Sequence, residues 1–527
     1  MFHLVNFIAG MQLIVSNAHQ RKAPFVVSGK FDAHRTDIVN INRRAMKKFL
    51  IIILFLPLFC FGQKQGNIWY FGDHAGLDFN SGSPVVINNG QVGLIDCSPF
   101  GTCHAEGSAI ICDSSGALLF YCDGSTAWNK NHQIMLNGDS LLSTISSTQS
   151  SLIVPQPGSS RYFYLFTTDD FFAHNLQYGF RYSIIDICLD NGLGGIINGE
   201  KNLLLLDTVT EKLTGVRHAN GVDYWIIVHK FHSDAFHCYR LSSTGIIDTV
   251  ISHVGSVHPI EGANTWTAVG QLKASPNGQK LALVNGNATP AIAEYFDFDN
   301  NTGIVSNVVS IQTNPLWSYY GVSFSPDNSK LYIACNLNGN GVYQFDLSAG
   351  GGNPTAVVAS KTLVAGTYNY LGLQLATDGK IYVARSPFVG NSYLGVISSP
   401  NNAGTSCNYV DAAIDLNGHA ASYGFPNFID SYDYSNTVSK CETGIAEQSD
   451  IEKLKVFPNP FSTQLTFSYA DNEQAVVSLY NFLGQRVLQQ TFTNYMSTNT
   501  EQLANGIYFY ELRNDKVTVM KGKVLKQ

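Results

Sequence analysis

His229, His232 and His237 crowd one short stretch with Asp234, a spacing that could bring two imidazoles to one metal ion. Strand alternation puts His229 and His232 on opposite faces if the strand runs through, so the three read as turn and surface histidines. The run Asp297-Phe-Asp-Asn-Asn-Thr-Gly303 has the oxygen density of half a calcium loop. It lacks the distal glutamate of such a loop, and Asp and Asn serve ordinary turns equally well. Calcium is therefore the one cofactor in view, and no metal ligand is assigned. Asp73, His74 and Asp78, with His104 and Glu106 further on, could meet in a central channel and do acid–base work. Trp128, Trp266, Trp317, Tyr319 and Tyr320 stand beside Asn, Ser and Thr. Aromatic platforms next to amides suit sugars or peptides, so Trp128, Trp266 and Trp317 are candidate ligand contacts. No H-E-x-x-H, G-x-S-x-G or G-x-x-x-x-G-K-S/T occurs, and Gly192-Leu-Gly-Gly195 reads as a Gly-rich turn. No catalytic residue is assigned.

The elements that must position these residues are repeated. Leu272-Lys-Ala-Ser-Pro-Asn-Gly-Gln-Lys-Leu-Ala-Leu-Val284 parallels Val322-Ser-Phe-Ser-Pro-Asp-Asn-Ser-Lys-Leu-Tyr-Ile-Ala334 and Leu373-Gln-Leu-Ala-Thr-Asp-Gly-Lys-Ile-Tyr-Val-Ala384. Each reads as strand, turn, strand, and the turns recur at a spacing of about 50 residues, the size of a propeller blade. Proline presets φ at the second turn position, and Asp/Asn-Gly supplies the positive φ that closes a hairpin. Looser copies lie at 108–122, 151–167 and 216–229. Six blade-like units result, and 68–79 supplies strands for closing the ring. Six or seven blades are both open. Ile68–Phe71 and 425–429 are expected to share one blade, because unclosed repeats leave unpaired edges.

Composition agrees with an all-β chain. Charged residues make up only 13%, aromatics 12%, and 47 of the 527 residues are glycine. The net charge of −7 and the lack of a long Lys/Arg run exclude nucleic acid as the expected partner. Lys47 and Lys48 precede the apolar run from Phe49 to Phe61, which ends at Gly62. This is signal-peptide anatomy, too short to span a membrane, and it places 46–62 as a signal peptide. Residues 1–45 then lie upstream of the expected start at Met46. Among the cysteines that follow, Cys97 with Cys103 is the best local pair and Cys407 with Cys441 a second, with Cys335 a buried free thiol.

A polar stretch at 431–453 separates the propeller, 63–430, from a module at 454–527 made of short alternating strands, the pattern of a small immunoglobulin-like β-sandwich. Val456-Phe-Pro-Asn-Pro460 opens the module. Val477-Ser-Leu-Tyr-Asn-Phe-Leu-Gly-Gln-Arg-Val487 and Leu503-Ala-Asn-Gly-Ile-Tyr-Phe-Tyr510 follow, and Lys521, Lys523 and Lys526 close it. These stretches resemble the type A sorting domain of the type IX secretion system of Gram-negative bacteria. The resemblance makes Pro458, Asn459, Pro460, Gly484, Gly506, Tyr508 and Lys521 the sorting motif. It implies export by the type IX machinery to the cell surface or medium, removal of the domain within the linker, and in many cases attachment to a lipopolysaccharide. Residues 66–430 resemble the WD-like or YVTN-like propellers of secreted proteins through their Ser-Pro-Asp-Gly/Leu-Tyr-Val pattern, without the Trp-Asp dipeptide. The expected function is binding or adhesion to a glycan or protein. The alternative is a secreted glycan-active lyase or hydrolase with its site in the propeller channel.

Overall fold

The computed structural model describes residues 64–93, 95–96, 102–103, 105–258, 267–286, 291–311, 318–337, 339–386, 392–434, 441, 454–469, 474–514 and 519–527. The segments read as an upstream extension and a signal peptide lie outside these residues.

Among the described residues, seven blade-like sheets succeed one another between Ile68 and Asp415, with a two-strand pair, Ile95–Asp96 and Thr102–Cys103, between the first two. The first has three strands, Ile68–Phe71, Ala75–Asp78 and Val85–Val86. Six larger ones begin with the strands Ser108–Cys112, Ser151–Pro155, Val209–Arg217, Leu272–Ala274, Ser318–Phe324 and Tyr370–Leu375. These opening strands abut one another from sheet to sheet, and Trp69 packs on Tyr382 of the last sheet at 5.4 Å between ring centroids. The sheets therefore close into a seven-bladed β-propeller with the opening strands innermost.

The repeated turns explain the repeated sequence. The Ser275 hydroxyl donates to Asn277 Oδ1 at 2.7 Å and accepts the Lys280 N–H at 2.9 Å. The Ser325 hydroxyl donates to Asp327 Oδ1 and accepts the Lys330 N–H at the same two distances. Gly278 and Gly379 supply positive φ of 67° and 77°, and Asn328 does so at 66°. Across the next strand, Lys280 pairs with Asp297 at 2.7 Å and Lys330 with Asp346 at 3.2 Å. A hydroxyl, an Asx side chain and a lysine thus build the same corner twice, one blade apart.

Closure differs from the expected shared blade. Pro426–Asn427 pairs parallel with Ser108–Ala109, while Ile68–Phe71 stays in its own sheet. The two ends meet through side chains: Phe425 lies 5.6 Å from Trp69 and 5.1 Å from Phe71, and Phe428 lies 5.8 Å from Trp69. The pairing is parallel because the returning chain runs along the channel in the direction of the inner strands, as the parallel bridge Gly215–Ile429 repeats. Residues 431–434, linker by composition, belong to the ring: Tyr432 and Tyr434 are buried in its main core.

Cys441 is disulfide-bonded to Cys188, with 5.0 Å between their Cα atoms, and not to Cys407. Cys407 closes a short 3-10 turn, Gly404–Cys407, and its thiol is buried there unbridged. Cys335 is a buried free thiol within its strand. The Cys97–Cys103 pair lies outside the described side chains. The bridge spans 253 residues of sequence, so Cys188→Ala should cost the ring about 2–4 kcal/mol in non-reducing urea titrations. Added reductant should bring the native chain to the same midpoint.

The C-terminal unit is a two-sheet sandwich. One sheet orders Leu454–Phe457, Gln464–Tyr469 and Tyr495–Asn499. The other orders Arg486–Thr493, Gln474–Tyr480, Gly506–Asn514 and Val519–Lys526. Leu465, Phe467, Val477, Leu479, Leu512 and Val524 fill the space between them. The strand Tyr495–Asn499 carries too little apolar residue to be legible in the sequence.

Candidate functional site

The N-terminal ends of the inner strands bring a set of ionisable side chains to one end of the channel. Glu106 just precedes the strand Ser108–Cys112, Glu211 lies in Val209–Arg217, and Tyr320 lies in Ser318–Phe324. The Tyr320 hydroxyl donates a short hydrogen bond to Glu106 Oε2. Thr148 Oγ1 lies 2.8 Å from Glu211 Oε2 and 3.3 Å from Glu106 Oε2, and it accepts the Gly270 N–H at 3.1 Å. Glu211 also accepts the Thr148 and Phe171 N–H groups, each at 2.9 Å. One threonine hydroxyl has one proton to give. Glu211 takes it at the shorter distance, so the 3.3 Å contact to Glu106 Oε2 has no donor unless Glu106 is itself protonated. Electrostatics agree: burial, then the Glu211 charge, holds the Glu106 carboxyl well above the usual range. Burial, then Asp170, pushes Glu211 up to about 7.

A folded-state pKa raised in this way contributes stability that is present at acid pH and lost as pH rises through the folded value. Glu106→Gln keeps the size of the side chain and a polar atom facing Thr148 and Tyr320 but cannot ionise. It should match the native chain at pH 4.5 and melt at a higher temperature at pH 8. The difference is about 1.4 kcal/mol for every tenfold gap in proton affinity between folded and unfolded chain. Equal melting temperatures at both pH values would show that Glu106 is not held neutral.

Behind the pair stand Lys212, His229 and His258, all buried. Lys212 Nζ donates to the carbonyls of Val269 and Ala268 at 2.9 and 3.0 Å, and burial brings it down to about 7. His229 stacks on His258 with 4.2 Å between centroids, and burial lowers both, His229 to about 3. His229 and His237 are therefore core residues rather than surface ones, because they sit on the two middle strands of a blade, while His232 takes the turn between them with φ 59°. Asp169, Asp170 and His174 place ligand atoms within 4.8 Å of one another. Their oxygens are occupied by the fold: Asp170 caps the helix Phe171–His174 and accepts from Thr144, and Asp169 takes His174 and the Tyr178 N–H.

The channel itself is filled by the chain. Asn427 Nδ2 donates to the Leu213 carbonyl at 2.8 Å, and Gln149 Nε2 donates to Asn427 Oδ1 at 3.2 Å. Asp430 accepts the Ala274 N–H at 3.1 Å and pairs with Lys273 at 3.4 Å; Lys273 also donates to Gln374 at 2.6 Å. Residues 425–434 thus touch the inner strands of six blades. At the far end, where the hairpin turns lie, a cleft of about 260 Å³ remains open between Arg217, His218, Ser275, Asn277, Asn300 and Asp433. A second cleft of about 360 Å³ shares Asn277 and Asn300 and continues to Lys280, Asp297, Asp299 and Asn328.

Of the residues singled out in the sequence, Glu106 and Tyr320 reach the channel cluster, and His229 stands behind it. Asp73 is bridged to Ala420, His74 contacts the Gly90 carbonyl and Asp78 caps the Asn80 N–H; His104 lies outside the described residues. Tyr319 and Tyr320 are buried, not exposed platforms, because both lie on an inner strand. Trp128 is half-buried and stacks on Tyr121 at 5.3 Å. Trp266 and Trp317 lie outside the described residues. The calcium-like run is turn chemistry: Asp299 accepts from Asn301 N–H and the Thr302 hydroxyl, and Asp297 from Lys280 and Asn307. Glu211, Lys212 and His258 had no motif around them; only burial among polar neighbours marks them out.

In the sandwich, Asn459, between Pro458 and Pro460, accepts the Leu525 N–H at 2.9 Å, fastening the last strand to the opening motif. Gly484 ends the turn at φ 77°, Gly506 opens a strand at φ 148°, and buried Tyr508 donates to the Ala504 carbonyl at 2.8 Å. Lys521 lies in the last strand, in register with Glu511.

Residues 455–527 match the family model described as a secretion system C-terminal sorting domain. No curated protein matches the chain. Among solved structures, the chain is similar to hydrazine synthase of Kuenenia stuttgartiensis (12% identity, 68% of this chain and 100% of that one, TM-score 0.39). It is also similar to Hsv2 of Kluyveromyces lactis (12% identity, 63% and 90%, TM-score 0.35). A stretch resembles a DUF3244 family protein with an immunoglobulin-like β-sandwich fold from Bacteroides vulgatus (15% identity, 14% and 85%, TM-score 0.13). These likenesses are too distant to bear on function. The sorting domain, by contrast, marks the chain for export by the type IX machinery to the cell surface or medium.

Proposed function

We propose that the propeller is a binding module displayed at the cell surface, engaging a glycan or protein through the face built by its hairpin turns. The carrying observation is that the channel is occupied by 425–434 while the two adjoining clefts at the turn face stay open. Amide and charged side chains line both, and Ser275 and Ser431 add hydroxyls to the first, a donor and acceptor mix suited to sugar hydroxyls or peptide backbone. A glycan and peptide array probed with the propeller, residues 63–441, tests this. Binding should fall about tenfold in Asn277→Ala, and an array with no ligand, alongside turnover of a polysaccharide panel, would overturn it.

The second reading, a glycan-active lyase or hydrolase, is favoured by one observation, the buried Glu106 beside Glu211, its carboxyl held well above the usual range by burial. It requires substrate to reach a buried pair, and it predicts activity that Glu211→Gln abolishes. Delivery completes the proposal: 46–62 carries the chain across the inner membrane, and the linker is cut after the Cys441 bridge, within 442–453. The mature propeller is then released or joined to a lipopolysaccharide.

A further inference from the structure

The outer face of the sandwich's four-stranded sheet carries apolar side chains that the fold does not need. Strand alternation buries Tyr508, Leu512, Leu479, Val477 and Val524 and turns their neighbours outward. Ile507 stands opposite Leu525; Phe509 stands opposite Lys523 on one side and Tyr480 on the other, and Tyr480 stands opposite Arg486. Ile507 is 51% exposed and Phe509 48%. The turn that follows Tyr480 adds Phe482 at 76% and Leu483 at 67%. That turn is made by Asn481, whose Oδ1 accepts the Leu483 and Gln485 N–H groups, and by Gly484 at positive φ. It places no demand for bulk on the two positions between them, where polar residues are usual. The outer face of the other sheet carries Phe457 and Tyr495 as well, but in separate cross-strand rows on opposite edge strands, with Lys455, Gln464, Thr466, Ser468 and Ser497 between and around them. A small domain that leaves contiguous aromatic and aliphatic surface at one end of one face has a partner for it.

We infer that this face, Ile507, Phe509, Leu525 and Tyr480 with the Phe482-Leu483 turn, is the surface by which the export machinery reads the domain. The inference rests on the sorting role of residues 455–527. The partner is a protein receptor presenting an apolar strip edged by carboxylates. Lys523 and Arg486 fall in the same cross-strand row as Phe509 and Tyr480, so the cations flank the aromatics. The one acid in the next row, Glu511, is already engaged by Arg513 at 3.0 Å and Tyr480 at 3.3 Å. Such a face meets a negatively edged apolar surface with its charges paired.

The test uses the full chain in the producing cell. The triple variant Phe482→Ser, Ile507→Ser, Phe509→Ser removes exposed groups only, and thermal melting checks that its sandwich still folds. Its surface and medium fraction should fall about tenfold or more, with folded propeller held in the periplasm. Lys523→Glu with Arg486→Glu should lower delivery in the same direction. Tyr495→Ser, an exposed aromatic on the other sheet, should deliver normally. A folded triple variant delivered like the native chain, while a chain lacking 454–527 is retained, would overturn the face and leave the sorting role intact. Normal delivery of the chain lacking 454–527 would remove the sorting role itself. A Tyr495→Ser variant retained as strongly as the triple variant would overturn the choice of face. So would a concentration-dependent dimer of the native chain that the triple variant loses, or vesicle binding that it loses, since the face would then serve a second copy or a lipid.

Discussion

A chain that ends before residue 454 should fold its propeller and stay in the periplasm. The effect is expected to be close to all-or-none, because an address read by a receptor has no partial substitute elsewhere in the chain. The reverse fusion is equally informative: residues 454–527 joined to a signal-bearing reporter should bring that reporter to the surface or medium. Fractionation with a periplasmic marker measures both. The module is expected to move as a unit. It has its own core, and its opening Asn459 and Phe461 are fastened to its last strand, Phe461 N–H to the Leu525 carbonyl at 2.8 Å. A truncated chain at the surface, or a fused reporter retained in the periplasm, would remove the assignment.

Asp430→Ala should lower the stability of the ring by about 3–5 kcal/mol, the usual cost of leaving a buried charge without its partner. Asp430 and Lys273 are both buried, and Asp430 also receives the Ala274 N–H. Removing the carboxylate strands the lysine in the channel and loosens the segment that closes the ring. Urea denaturation followed by tryptophan fluorescence should show one transition at lower denaturant, because closure joins the first and last blades. The double variant Lys273→Met, Asp430→Asn should recover most of the loss, since two neutral side chains leave no orphan charge. A midpoint unchanged in Asp430→Ala would mean that 425–434 does not hold the ring shut.

The blades were legible because their information is local. A Ser-Pro-Asn-Gly corner can be read from adjacent residues, as Ser275 and Gly278 show, and alternation in the flanking strands follows from a two-residue period. The sandwich was legible for the same reason, together with motifs in a set order. Tyr495–Asn499 escaped because a half-buried edge strand of polar residues has no such period. The channel was not legible. Glu106, Thr148, Glu211 and Tyr320 are spread over 214 residues and meet only because each sits at or just before the start of an inner strand, a position that a ring makes common and a linear chain does not. The same holds for Cys188 and Cys441, 253 residues apart, and for 431–434, whose polar composition suggested a linker. Composition reports what a segment would do in water. Tyr432 and Tyr434 instead find a channel whose walls supply partners: the Tyr432 hydroxyl donates to the Leu375 carbonyl at 2.5 Å and the Tyr434 hydroxyl accepts the Ile429 N–H at 3.2 Å. By itself, the sequence determined the repeat, its turns and the export address. Tertiary structure alone decided which residues fill the channel, because burial and pairing across blades depend on the ring being closed.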